Sequence, residues 1–410
     1  MKIAIVGAGI SGLVVAHRLH PEHEITVFEA GSYAGGHTNT IRVDLADQTL
    51  DVDTGFIVFN DRNYPHFEAL LGELGVASQP SVMTFSVSAA HEDFEFAGTP
   101  RGLFAQRANL TRPAFLRMVG EYARFNRDAR VLLDDGDDRI SLGDWLAERR
   151  FSDAFVQRLI VPQASAVWSA DPAQMWSFPA RFLVRFFEQH GMLRLTGRPQ
   201  WRTVAGGSAR YVDALTAPFA DRLRLDTPVA AVRRAPDHVL VTPRGGEPER
   251  FDEVVLATHA DQALAVLADA TDREHQLLGA IPYQRNEAVL HTDRSLLPRR
   301  RAVWSSWNYH LLERPLDRTT VTYHMNTLQS LTSDRELCVT LNRTEAIDPD
   351  EVIRTIGYAH PVFTADGWAA QARHHEISGH NRTHFCGAYW RWGFHEDGVV
   401  SALRVAERFA

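Results

Sequence analysis

Ile3-Ala4-Ile5-Val6-Gly7-Ala8-Gly9-Ile10-Ser11-Gly12-Leu13-Val14-Val15-Ala16 opens the chain, and Ile25-Thr26-Val27-Phe28-Glu29-Ala30 follows shortly after. A short apolar run, a glycine-rich turn and apolar residues at helical spacing predict strand, tight turn and helix, with a second strand ending at Glu29. In a dinucleotide-binding fold each position has a physical task. Gly7 makes the turn and Gly9 lets backbone approach a pyrophosphate; Gly12 lets helix and strand pack closely, and the helix N-terminus, at Ser11, attracts phosphate charge. Glu29, beside Ala30, would accept hydrogen bonds from the adenosine ribose. A glycine-rich loop of any α/β protein would show the same three glycines, but here strand, helix, second strand and terminal acid fall in register.

The remaining composition narrows the function. A length of 410 residues, at ~150 per domain, predicts two to three domains, and 45% hydrophobic with 23% charged residues is globular. Net charge is −8, from 43 basic and 51 acidic residues, which argues against nucleic acid as a partner. Lys2 is the only lysine, so chemistry built on a Schiff-base lysine is excluded. Two cysteines, Cys338 and Cys386, provide neither a disulfide framework nor a CxxC pair, and a reducing, cytoplasmic location is expected. No leader pattern precedes the first strand, and no apolar run reaches the ~20 residues of a membrane span, so membrane contact should be peripheral to the inner membrane face.

A second glycine pair, Gly35-Gly36, followed by His37 and Thr38, sits just after the ribose position. Here the chain resembles the superfamily of FAD-dependent amine oxidases, protoporphyrinogen oxidase and phytoene desaturase, which carry Gly-Gly-Arg at this place to hold the FAD diphosphate; this chain has His37 instead of the arginine. Three later segments extend the resemblance. Phe251–Ala260, containing Ala257, is similar to the strand that returns beside the first. Thr227-Pro228-Val229 is similar to the place where a valine backbone meets adenine. Phe385-Cys386-Gly387-Ala388 with Gly393–Ala402, including Gly398 and Val399, is similar to the element whose helix N-terminus faces the flavin pyrimidine. A closer resemblance is to a bacterial branch known as predicted NAD/FAD-binding proteins; it rests on Val52–Asn60, with Gly55 and Phe56, and on Tyr389–Gly398. That branch is associated with cyclopropane-fatty-acyl-phospholipid synthases.

The resemblance implies an α/β fold: a Rossmann-like FAD-binding domain, discontinuous over 1–65, 201–265 and 380–410, with an inserted α+β substrate domain from 66–200 and 266–379. FAD should be non-covalent, Cys386 being read as a small buried residue. With no second GxGxxG and no CxxC, the disulfide reductase plan fails and electrons should come from an organic substrate. The implied activity is removal of hydride from an apolar, fatty-acyl substrate. Isomerisation of a lipid double bond, and a non-catalytic role beside a lipid-modifying methyltransferase such as a cyclopropane synthase, are the alternatives. The wall near the reacting atoms is assigned to Phe394, Tyr389 and Trp392.

Two features of the inserts bear on substrate. Ser177 and Pro179 predict a helix with Phe178, Phe182 and Phe186 on one face, ending at Gly191; this aromatic stripe fits a core and an acyl cavity equally. From Thr99 to Arg130 seven arginines (101, 107, 112, 117, 124, 127, 130) stand against Glu121 and Asp128. Thr111 and Pro113 start a helix there with Phe115, Met118, Val119, Tyr122 and Phe125 on one face. Such a helix can lie on an anionic membrane surface, although a solvated charged face over the core is the plainer reading. The nineteen histidines show no HExxH or comparable spacing, and no metal is expected.

Overall fold

A computed structural model describes residues 1–134, 140–194 and 197–410. Strand Lys2–Val6 sits at the middle of a five-stranded parallel sheet in the order Leu223–Arg224, Glu24–Phe28, Lys2–Val6, Glu253–Leu256, Thr383–Phe385. Ile5 faces Val27 on one side and Val255 on the other, and Ile3, Ile5, Val27 and Val255 are sealed from solvent. Such continuous apolar runs are what a parallel sheet covered on both faces requires. Helix Ile10–Leu19 follows the first strand directly and packs along the C-terminal helix His395–Ala406, so both ends of the chain meet on one face of this sheet. A three-stranded meander, Val229–Arg234, Val239–Pro243 and Glu249–Phe251, leads into the returning strand.

The second large sheet has seven strands in the order Val352–Pro361, Tyr283–His291, Cys338–Leu341, Val321–His324, Trp307–His310, Phe85–Ala89, Phe94–Ala97. The first insert, 66–200, supplies two strands to this sheet, and Phe85–Ala89 pairs in parallel with Trp307–His310. The helices of that segment, Pro113–Asp134, Leu142–Glu148, Val161–Trp168 and Ala180–Gln189, enclose an aromatic-rich core with Phe125, Trp145, Phe155, Phe182 and Phe187.

One expected boundary moves. The aromatic helix begins at Ala180, not at Ser177, and Phe178 lies ahead of it. Pro179 disfavours helical geometry at the residue before it, and the Phe178 carbonyl instead accepts from Leu142 N–H at 2.7 Å. Phe178 still packs on Phe182, with ring centroids 5.5 Å apart.

Asp53, fully buried, ties separate parts of the chain together. It accepts from Thr40 Oγ1 (2.6 Å), Ser208 N–H (2.8 Å), Ser208 Oγ (2.9 Å) and Gln329 Nε2 (3.1 Å). Burial first, opposed by these donors, pushes its carboxyl up to about 6.

The close approach at the first turn is a sharp test of this packing. A Cβ on Gly12 would collide with the Gly7 carbonyl, and Gly7 itself has φ +103°. Gly12→Ala should destabilise the protein by about 2 to 3 kcal/mol, seen as a lower Tm; an unchanged Tm would contradict the account.

Candidate flavin site

The cradle is built where the first loop meets the second glycine pair. Gly35 N–H donates to the Ala8 carbonyl at 2.8 Å, and Gly36 (φ +60°) lies so close to Gly9 that an added Cβ would sit 3.2 Å from its Cα. At Gly9, by contrast, an added Cβ meets nothing within 4 Å: open space lies over that backbone, at the N-terminus of helix Ile10–Leu19. No acidic residue occupies the first turn of that helix, so its free N–H groups keep their preference for an anion. The structure brings Gly7, Gly9, Ser11, Gly12, Gly35, Gly36 and His37 together at this point.

Glu29 closes the next side. Its carboxylate accepts from Ala8 N–H at 2.7 Å and from Gly31 N–H at 2.8 Å, which fixes it while leaving acceptor capacity for ribose hydroxyls. Ala30 adjoins it, and Thr227 N–H donates to the Glu29 carbonyl at 2.8 Å, bringing Val229 to the same end of the sheet. Ala257, at the end of the returning strand, lies against Gly7, whose added Cβ would be 2.8 Å from the Ala257 carbonyl.

The C-terminal segment completes the cradle from the far end of the sequence. Ser11 Oγ donates to the Gly398 carbonyl at 3.1 Å, and a Cβ on Gly398 would press on Ile10 and Ser11. Gly387 N–H donates to Ser401 Oγ at 3.1 Å, and Ala388 lies near Gly398. Val399 is sunk in the helix–sheet core and offers the site only its backbone. Thr38 and Phe56 both meet His395. Its ring stacks on Phe56 at 3.5 Å, and its Nε2 lies 2.9 Å from both Thr38 Oγ1 and Tyr211 Oη. Burial first, then His37, holds His395 well below the usual imidazole range, so it is neutral. This polar knot, invisible in the sequence, anchors the C-terminal helix to the loop after Gly36. Gly55 packs against the His37 carbonyl and Tyr358.

The residues assigned to the reaction wall separate into two groups. Trp392 and Phe394 face helix Ala180–Gln189, with Trp392 4.3 Å from Phe182 and Phe394 stacked on Phe186 at 5.1 Å. Tyr389 does not join them. It packs with Trp390, Phe385 and Val6 in the core on the other side, because the turn Ala388–Trp390 directs the two aromatic pairs apart. Cys386 is sealed from solvent and burial holds its thiol above its usual range, which makes it unfit for covalent attachment.

Sequence reading also missed a group of histidines. His37 lies 5.8 Å from His259 and 5.2 Å from His360, and Tyr358 stacks on it at 5.0 Å. Burial, then the neighbouring imidazole, lowers His37 to about 4, with His259 also at about 4. His37 Nε2 is buried without a hydrogen-bond partner among the described residues. The open backbone over Gly9, at a helix N-terminus with no acid in its first turn, together with the Glu29 carboxylate beyond it, is what a diphosphate and a ribose would fill, and the residues present fit FAD.

The profile of the flavin containing amine oxidoreductase family matches residues 10–330. The chain belongs to this family. Its cofactor is FAD. The chain is 26% identical over 266 residues, 60% of its length, to the flavin-dependent L-tryptophan oxidase RebO of Lentzea aerocolonigenes. The curated relatives are matched over no more than about half of their own length, 54% for that oxidase. Among solved structures, cyclohexylamine oxidase from Brevibacterium oxydans IH-35A has a TM-score of 0.72 at 18% identity, covering 100% of this chain and 99% of that one. A CLA-producing fatty acid isomerase from P. acnes has a TM-score of 0.70 at 14% identity, covering 99% and 98%. These establish a shared fold.

Two outcomes follow from the site. Glu29→Ala should weaken FAD retention about tenfold or more, since a hydrogen bond to a charged acceptor is worth ~1.5 to 3 kcal/mol; flavin fluorescence on dilution measures it, and all flavin should be released by acid precipitation of the wild type. Asp397, buried at the start of the C-terminal helix, is pushed up from 3.8 to about 7, chiefly by burial. The folded state thus binds this proton more tightly than the unfolded one, and the stability it adds is lost as pH rises from about 4 to about 7. Asp397→Asn should flatten the Tm profile across that window; an equally steep profile would contradict the assignment.

Proposed function

We propose that this flavoenzyme removes hydride from an apolar, fatty-acyl substrate. The observation that supports this reading is the aromatic wall in which helix Ala180–Gln189 lays Phe182 and Phe186 against Trp392 and Phe394, the residues that lead into the C-terminal helix at the cofactor cradle. Phe363 and Trp368 extend it, each 5.3 Å from Phe182. Phe182 and Phe186 are core residues, and the partly accessible Phe394 and Trp368 at the edge of the cluster suit a hydrocarbon segment. An ammonium group placed there would be desolvated without compensation, and with Lys2 the sole lysine no lysine side chain assists at the site.

FAD supplies the acceptor for hydride. The chain's own part is to bind the acyl segment against the aromatic wall, orient one C–H bond and exclude water. The test is anaerobic mixing of the holoenzyme with unsaturated or branched fatty-acyl phospholipids on one hand and primary amines and polyamines on the other. Lipids should bleach the oxidised flavin band while amines leave it unchanged; fast reduction by an amine with lipids inert would overturn the reading. Product mass separates net loss of two hydrogens from isomerisation, in which none is lost.

The basic segment supports a membrane-surface encounter with such substrates, but through different residues than the charge count suggested. Arg117 and Arg124 are held by Glu121 at 3.1 and 3.4 Å, and Arg112 by Asn109 at 3.0 Å. Arg101 and Arg107 are exposed, and Leu110 and Leu116 project beside them, 54% and 45% accessible. Reversal of Arg101 and Arg107 to glutamate should abolish salt-sensitive flotation with anionic vesicles; equal binding to neutral vesicles would return the segment to an ordinary solvated face.

A further inference from the structure

Strands Tyr283–His291 and Val352–Pro361 pair antiparallel, with Gln284 opposite His360 and Asn286 opposite Tyr358. Asn286 and His360 are thus diagonal neighbours on the sheet, within reach of each other. Asn286 is buried, and the hydrogen bonds around it leave its amide a single orientation. Glu287 N–H donates to Asn342 Oδ1 at 2.9 Å, which identifies the oxygen end of Asn342. Asn342 Nδ2 then donates to the Thr319 carbonyl and to Asn286 Oδ1, each at 2.8 Å. Asn286 Nδ2 in turn donates to the Ser169 carbonyl and to His360 Nδ1, each at 3.0 Å. An amide nitrogen can only donate, so Nδ1 of His360 is the bare nitrogen and the proton of the neutral ring is on Nε2.

That Nε2–H has no partner among the described residues. His360 is only partly covered, which leaves room for a bound partner at that donor. His37, from the glycine-pair loop of the flavin cradle, stands 5.2 Å away. We propose that His360 is a substrate-contacting hydrogen-bond donor, its Nε2–H recognising an ester or carboxyl oxygen of the substrate, and that Asn286 is its positioning residue. The proposal rests on the acyl-substrate reading above, and it names the one polar contact an otherwise apolar chain would need for register. The groups around the ring, His37, His259, Tyr358 and Asn286, are uncharged. Burial first, and then His37, holds His360 down to about 3, so the donor keeps one protonation state across neutral pH.

The holoenzyme can be titrated with methyl decanoate and with undecane, following the flavin difference spectrum. Wild type should prefer the ester. His360→Phe should lose about five- to tenfold in ester affinity with undecane unchanged, the scale of one neutral hydrogen bond, and His360→Gln, which keeps a donor, should recover part of it. Nitrogen NMR of 15N-histidine-labelled holoenzyme, with the His360 signal assigned by its absence in His360→Gln, should show the Nε2–H form from pH 6 to 8. Asn286→Asp should switch that signal to a ring protonated at Nδ1. An Nδ1–H form in wild type, or an ester preference undiminished in His360→Phe, overturns the proposal. Failure of lipids to bleach the flavin would instead defeat the acyl-oxidation reading, and leaves the ester-over-alkane comparison standing as a separate measurement.

Discussion

The architecture depends on the absence of side chains at the crossing of the first helix and the last. Gly12 lets helix Ile10–Leu19 settle on the Gly7 carbonyl, and Gly398 lets the C-terminal helix settle on Ile10 and Ser11. A dense interior cannot absorb even one extra carbon at such a contact without a shift. The Ser11 hydroxyl then reaches the Gly398 carbonyl and joins segments 387 positions apart. Everything that could hold FAD is arranged around this junction: the open backbone at Gly9, the carboxylate of Glu29, and the loop carrying His37. The cofactor site is thus made from both ends of the chain and forms only when the whole sheet has formed.

The cofactor half of the protein was legible because its constraints are local and leave few residue choices. A glycine is demanded where backbone passes backbone, an acid where ribose hydroxyls must be accepted, and a continuous apolar run where a strand is covered on both faces. The seven-stranded sheet and its helices were much less legible. The strands are brought together by pairings between distant segments, such as Phe85–Ala89 with Trp307–His310, which no local period announces. Tyr389 and Trp392 are three positions apart and looked like one wall, but a single turn sends them into different cores. The chain Asn342–Asn286–His360 was equally hidden, since asparagines in a strand have no spacing signature; only cross-strand register gives them a common purpose.

Charge is handled in an unusual way near the cradle. The place occupied by arginine in similar proteins has His37, and the rings nearest it are other neutral imidazoles and tyrosines. Uncharged donors and acceptors can recognise polar atoms of either cofactor or substrate without imposing the desolvation cost of a buried fixed charge. Fixed charges elsewhere are paired: Arg117 and Arg124 share the Glu121 carboxylate, and Arg234 pairs with Glu274 in the interior.

Asp53 bears on how anything enters. Its carboxylate belongs at once to the hairpin after the flavin loop, to the helix that starts beyond Ser208, and to Gln329 beneath the seven-stranded sheet. A clamshell opening of the two sheets would have to pull Gln329 away from that buried anion and from the Asp53 N–H. The molecule therefore behaves mechanically as one riveted body. On the acyl-substrate proposal, a chain reaching the interior would pass by rotation of side chains and rearrangement of surface turns rather than by parting of the two sheets.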